Sequence, residues 1–560
     1  MHKRLNIPVI NKPLKYLRKL TKPFNRLRRR SVRTPRAASP PHPSGSEVAL
    51  DVADPESLPP SWILRLPDEI LVAIFDFVHA AIFYPTLRGS VRDWLRFLHV
   101  CSHWRCVALS VSQYWHIVPV GRDPAQVDFF LSKSRGLLAD VCFNSDSIPP
   151  PLEALQPHIS SIRRLEFSAP YFDCKYSAFN RLLSTLLPCL EELCIWPIIL
   201  NIETLHRMRL SLHRYPCLWG LRLQHLVCPP DISELRVLDL RSCYWVLSLG
   251  GFIDKLATCS NLVELRLNRS MSWFSPDDDP GDFLPQPTAV LRHLHTLEIV
   301  DQSSEAVASL LAYLEMPALR DLRLVHRPDK PAGREDTEYA IRDMLPSNPS
   351  RVLPDFSSSP VTATVSVLHN VSSIVLRSRT HCAALSVATS FERDCGHALP
   401  AALEDLIECV PDAPVRLTTL AVHGDSYHVP AALWRRLFGQ CAHLSALELA
   451  GNGTWTALWH ALRPVASSWA VEPCVPCPAL ASVRVRYVPR PEDNYPAPPD
   501  LKDVEAIQGA LEGRRDLGAQ LQELVWEAHS AKHADFEEAR ERFLSNVRSY
   551  AERAAYNDLG

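Results

Sequence analysis

Residues 235–240 read Leu-Arg-Val-Leu-Asp-Leu, apolar at the first, fourth and sixth places. The last two apolar positions lie two apart, so in a strand they share one face. The same hexad recurs at Ile162-Leu165-Phe167, Leu190-Leu193-Ile195, Leu218-Leu221-Leu223, Leu262-Leu265-Leu267, Leu294-Leu297-Ile299 and Leu319-Leu322-Leu324. It returns at Val371-Ile374-Leu376, Leu417-Leu420-Val422, Leu444-Leu447-Leu449 and Leu480-Val483-Val485. Its central residue advances by 28, 28, 17, 27, 32, 25, 52, 46, 27 and 36. A repeat built from one strand and one helix or 3₁₀ turn takes about 20–29 residues, so several intervals fit and several do not. Stretches before the hexads are helix-like, as in Leu182-Leu183-Ser184-Thr185-Leu186-Leu187-Pro188-Cys189. The reading is an α/β chain in which strands stack side by side and helices cover one side.

In this reading the leucines are core. Function falls to the alternating residues, which face the concave side: Arg222, Gln224, Asp239, Arg241, Arg266, Asn268, Glu298, Arg323, Glu448, Arg484 and Arg486. Arg222, Asp239, Arg241, Arg266, Arg323 and Arg484 are the candidate target-binding residues, because a mixed-charge strip suits protein better than lipid. The array spans 121–488, with Pro-, Asp- and Ser-rich loops at 275–289 and 327–364. Residues 489–500 read as a linker. Residues 501–560 read as a C-terminal helical cap, with Leu517, Leu521, Leu524 and Val525 as a partial stripe. Solenoids need such a cover on their last open edge.

Of 560 residues, 46% are hydrophobic and 22% charged, an ordinary globular balance. The net charge of −2 hides an asymmetry. Residues 1–46 hold 13 Lys or Arg and no acid, so the remainder has 47 basic against 62 acidic residues, a charge of −15. Prolines at 8, 13, 23, 35, 40, 41 and 43 break any long helix in this head, and 1–57 is expected to be disordered. A nuclear-import signal, contact with nucleic acid or anionic membrane, a mitochondrial transit peptide and a merely solvated tail all compete for it. Sixteen scattered cysteines and no apolar secretory segment predict a reducing cytoplasmic or nuclear setting.

The stretch 58–80, LPPSWILRLPDEILVAIFDFVHA, is patterned differently. Pro67 stands where a helix would begin, and Asp68 and Glu69 put negative charge in its first turn. Ile70, Leu71, Ile74, Phe75 and Val78 then form an apolar stripe. A second helix is expected over about Val91–Val107, and a shorter segment carries Leu109, Val111 and Trp115. A unit of ~60 residues is marginal alone, so exposed Leu, Pro and Trp would favour a partner. Leu66-Pro67-Asp68-Glu69-Ile70-Leu71, Ile74-Phe75, Val100-Cys101-Ser102-His103-Trp104-Arg105 and Tyr114-Trp115 resemble an F-box. With this module at 58–120, the repeats resemble the degenerate leucine-rich repeats found behind F-boxes, as in fungal, basidiomycete-type proteins.

The resemblance implies docking to a Skp-type adaptor of a cullin–RING ubiquitin ligase. It implies Leu66, Pro67, Ile70, Leu71, Ile74, Val100, Cys101 and Trp104 as adaptor-facing or adaptor-supporting positions. Val78, Leu98 and Val107 read as plain core. The connection HAAIFYPTLRGSVRD, 79–93, is longer than the family's usual one.

No catalytic or phosphate-binding signature stands out. Cys474-x-x-Cys477 lacks a second pair, so no metal site is expected, nor any cofactor or small-molecule substrate. The leading expectation is a non-catalytic substrate receptor holding an unknown target protein. The alternatives are a repeat scaffold without a ligase and an enzyme hidden in the repeats.

Overall fold

The computed structural model describes residues 66–558 apart from 84–90, 122, 144–151, 169–180, 197–209, 228–230, 244–247, 271–287, 302, 328–339, 355, 357–358, 369–370, 389–397, 410–415, 465–473, 488–500 and 529–533. The basic head, the linker 489–500, most of the expected loop 275–289 and residues 328–339, 355 and 357–358 of the expected loop 327–364 therefore lie outside the described residues. The rest of that second stretch is not a plain loop, for it holds 3₁₀ turns at Ile341–Met344 and Pro349–Arg351 and the start of a strand at Val361.

Ahead of the sheet stand helices α1 (Asp68–Phe83), α2 (Val91–Leu95) and α3 (Ser102–Ser110). Nine strands follow in parallel, each beside the next: β1 (Ile117–Val120), β2 (Ala139–Phe143), β3 (Ile162–Phe167), β4 (Glu192–Ile195), β5 (Gly220–Gln224), β6 (Val237–Arg241), β7 (Glu264–Asn268), β8 (Thr296–Asp301) and β9 (Asp321–His326). The register aligns the hexads. Leu165, Leu193, Leu221, Leu238, Leu265, Leu297 and Leu322 form one lateral row. Phe167, Ile195, Leu223, Leu240, Leu267, Ile299 and Leu324 form the next. Both rows are buried. Each such side chain gains about 1.5–3 kcal/mol over its exposed state. The hexad's first residue closes a turn ahead of its strand: the amides of Leu262, Leu294, Leu319 and Leu444 donate to the carbonyls three residues back.

The parallel order then breaks. β10 (Val361–Leu368), β11 (Val371–Arg377) and β12 (Cys382–Ala388) form an antiparallel meander. β12, the last of the three, lies beside β9, whereas β10 lies beside β13 (Leu417–His423). Parallel pairing resumes through β14 (Ala446–Gly451), β15 (Ser482–Tyr487), β16 (Leu521–Ala528) and β17 (Ala551–Asp558). The long intervals of 52 and 46 in the hexad spacing bracket this insertion. The buried rows cross it without a gap, through Ala383, Leu376 and Ala363 in one and Leu385, Ile374 and Val365 in the other.

Helices α4 (Pro124–Lys133), α5 (Leu249–Thr258), α6 (Ser304–Ala312), α7 (Ala398–Cys409), α8 (Ala431–Gln440), α9 (Thr456–Leu462), α10 (Leu501–Asp516) and α11 (Ala534–Val547) lie between strands in the chain. From α7 to α11 each packs beside its successor. Asp123, Ser248 and Ser303 cap α4, α5 and α6 by accepting from the amides of Ala125, Gly251 and Ala306.

Three expectations are corrected. The hexad at Val371 does not open another strand-and-helix repeat: it lies on the middle, antiparallel strand of the meander, because strand periodicity carries no direction. Residues 501–560 are not a purely helical cap: β16 and β17 alternate with α10 and α11 and extend the sheet. Leu521-Leu524-Trp526 is itself a hexad, and reading Leu517, Leu521, Leu524 and Val525 as a helical stripe hid it. Leu138-Val141-Phe143 is another, on β2. Finally, the helix expected over Val91–Val107 is broken. α2 passes into a 3₁₀ turn at Arg96–His99, Cys101 is extended (φ −159°, ψ 173°), and its Sγ accepts from the Trp104 amide to start α3.

One glycine is required by close approach. A Cβ on Gly451 would stand 1.7 Å from the Gly424 carbonyl oxygen, at the ends of β13 and β14. Gly451→Ala is therefore expected to cost about 1–3 kcal/mol, as overpacking does, read as a lowered thermal midpoint.

Candidate functional site

α1 is set by its first turn. The Pro67 carbonyl accepts from the amides of Ile70 and Leu71, both at 3.1 Å. Asp68 meets His103 Nε2 at 3.2 Å. The helix is apolar on two faces. Leu71, Phe75, Val78, His79 and Phe83 point inward and are buried. Phe75 sits among Trp94, Phe97, Trp104 and Tyr114, with ring centroids 5.2–6.3 Å away in edge-to-face arrangements. The opposite face carries Ile70, 48% exposed, half-buried Ile74, and Phe77, 58% exposed. Their i, i+4, i+7 spacing makes one stripe. Val100, 41% exposed, stands at the end of the 3₁₀ turn.

The structure thus divides the sequence-predicted adaptor residues. Pro67, Ile70 and Val100 are exposed, and Leu66, Ile74 and Cys101 half-buried. Leu71 and Trp104 are interior. Val78, Leu98 and Val107 are core. Phe77 was missed, although its spacing from Ile70 and Ile74 is legible in the sequence. Of the long connection 79–93, the first residues extend α1 to Phe83, and 84–90 lie outside the described residues.

Tyr114 and Trp115 join the helices to the sheet. The Tyr114 hydroxyl donates to Asp76 Oδ1 at 2.8 Å and lies 3.0 Å from the Val72 carbonyl. Trp115 Nε1 donates to the Ala108 carbonyl at 2.9 Å, and its ring packs on Phe129 and Phe130 of α4.

Residues 63–118 match the F-box-like family. The match runs into β1, so the F-box-like domain and the sheet share a boundary strand rather than a linker. No curated protein matches the chain. F-box domains bind Skp-type adaptors in cullin–RING ligases, and proteins that carry them are generally non-catalytic adaptors.

His79 gives the F-box-like domain a pH signature. Burial, helped by nearby His116, lowers its pKa from 6.5 to about 4, against opposing effects of the Tyr114 backbone and Asp76. The folded state thus holds His79 neutral, while the unfolded chain protonates near 6.5. This stability is present above pH 6.5 and is lost as pH falls from there towards 4. At 1.36 kcal/mol per unit the full loss is on the order of 3 kcal/mol. His79→Leu should flatten the fall in urea midpoint between pH 7 and 4.5.

The candidate target residues lie on the sheet face turned from the buried rows, and there they pair with acids. Arg222 meets Glu192 at 2.9 Å. Asp239, itself buried, takes two hydrogen bonds from Arg241, whose guanidinium lies 4.5 Å over the Trp196 ring. Arg266 lies between Glu264 at 2.9 Å and Glu298 at 3.6 Å, and Arg323 reaches Glu298 at 3.0 Å. Arg484 and Arg486 share Glu527 at 3.8 and 2.8 Å. The more exposed of these pairs, such as Arg323 with Glu298, contribute about 0–1 kcal/mol each, so they order the face more than they stabilise it. Cys477 is buried with its thiol on the Phe438 carbonyl, while Cys474 is exposed.

Proposed function

We propose that this chain is the target-recognition subunit of a Skp–cullin–F-box-type ubiquitin ligase. The observation that carries the reading is an F-box-like domain with an uncovered apolar stripe. Leu66, Pro67, Ile70, Ile74, Phe77 and Val100 meet the adaptor, and Leu71, Cys101 and Trp104 support them from beneath. The sheet, read as a degenerate leucine-rich repeat array, holds a target protein on the face away from its buried rows. The chain makes no bonds itself. It raises the concentration of the target near the ligase's ubiquitin carrier, in the cytoplasm or nucleus.

The test is co-expression with a Skp-type adaptor and size-exclusion chromatography. Co-elution of the wild-type pair is expected. If the wild-type chain elutes without adaptor, the ligase reading fails and a scaffold built on the sheet replaces it.

A further inference from the structure

The meander differs from the rest of the sheet in what it displays. Alternation turns Ala363, Val365, Ile374, Leu376, Ala383 and Leu385 inward, where they are buried. The opposite positions present small, uncharged side chains: Thr364 and Ser366 on β10, Ser373 and Val375 on β11, Ala384 and Ser386 on β12. Ser366 and Ser373 share a hydrogen bond at 2.6 Å. Three strands at ~4.8 Å spacing make this an uncharged floor, bordered by Asp321 and Arg323 of β9 on one side and by Thr419, Ala421 and His423 of β13 on the other, with Glu448 of β14 beyond.

The floor has two unlike ends. At one, Leu368 and Val371 face each other in register, 54% and 39% exposed. At the other, Arg377 is exposed and has no acidic partner among the described residues. This separates it from Arg222, Arg241, Arg266, Arg323, Arg484 and Arg486 on the same sheet face, each of which has one. Asp321 shares its row two strands away but does not reach it. Arg379 follows in the turn, also exposed and unpaired among the described residues. From Val371 to Arg377 is six residues along one strand, about 20 Å.

We propose that the meander is the target-docking patch, and that its occupant is a polypeptide segment with an apolar end on Leu368 and Val371 and a carboxylate on Arg377. This rests on the target-holding role of the sheet. A charged residue over the hydroxyl and alanine floor would lose water without gaining a counter-charge, which favours an uncharged middle. Among the described residues no carboxylate holds Arg377, so it can take one without first giving one up.

The test pans a display library of peptides of about 14 residues, long enough to span ~20 Å extended or helical, on the full chain in complex with its adaptor. Selected peptides should carry Asp or Glu at one end and apolar residues at the other. Arg377→Glu should weaken them at least about tenfold, and exchanging the peptide's acid for Lys should restore binding to that variant. Val371→Asp should weaken them similarly. Peptides that are uniformly apolar or basic, that bind the Arg377→Glu chain as well as wild type, or that are never selected would overturn the proposal. Adaptor co-elution is read on the same samples and should not change with Arg377→Glu, so failure of docking and failure of ligase assembly are told apart.

Discussion

A chain carrying Ile70→Asp and Phe77→Asp should lose capture of a Skp-type adaptor by about a thousandfold while keeping its fold. Large apolar anchors at the centre of an interface contribute about 2 kcal/mol or more each, and ~1.4 kcal/mol is a factor of ten. Two of them give about three decades. The substitutions are mild for folding because both side chains already face outward, and Asp costs at most about 0.7 kcal/mol in a helix interior. Calorimetric titration of the adaptor reads the affinity, and circular dichroism checks the helix. Adaptor binding at wild-type strength would show that the stripe is not the docking face. The pair isolates binding better than Leu66→Ala, Pro67→Ala and Ile74→Ala together, since Pro67 also forms the start of α1.

Phe75→Ala should act by the opposite route. Phe75 is fully buried among four aromatic rings, and removing a buried Phe costs about 3–5 kcal/mol. A domain of this size has little stability to spare, so α1 to α3 should open while the sheet stays folded. Hydrogen exchange would show amides of Leu71–Phe83 losing protection and those of β5–β9 retaining it. Adaptor capture would fall as well, but through loss of the folded domain. Loss of protection throughout the sheet would instead mean that the helices and strands unfold as one unit, joined through Tyr114 and Trp115.

The sequence by itself determined the inward rows and the F-box-like start. Leu221, Leu238 and Leu265 recur because a strand shows one face to the core every second residue, and that rule is local. The Leu-Pro-Asp-Glu opening of α1 is local too, since helix starts are set by their first turn. Strand direction is not local. Val371-Ile374-Leu376 has the same periodicity as its neighbours, and only its partners make it antiparallel. The same holds for β16, where Leu521 and Leu524 fit a helix stripe until the β15 ladder claims them. The break at Cys101 is likewise decided by packing, since Trp104 must turn back onto Phe75. Which apolar residues of α1 are core and which are surface was also decided there: Leu71 and Ile70 are neighbours in sequence, and only the rings around Phe75 select Leu71 for the interior. The arginines of the sheet were legible as a face, but their pairing across strands, and the lack of a partner for Arg377 among the described residues, depend on which strands the tertiary structure sets side by side.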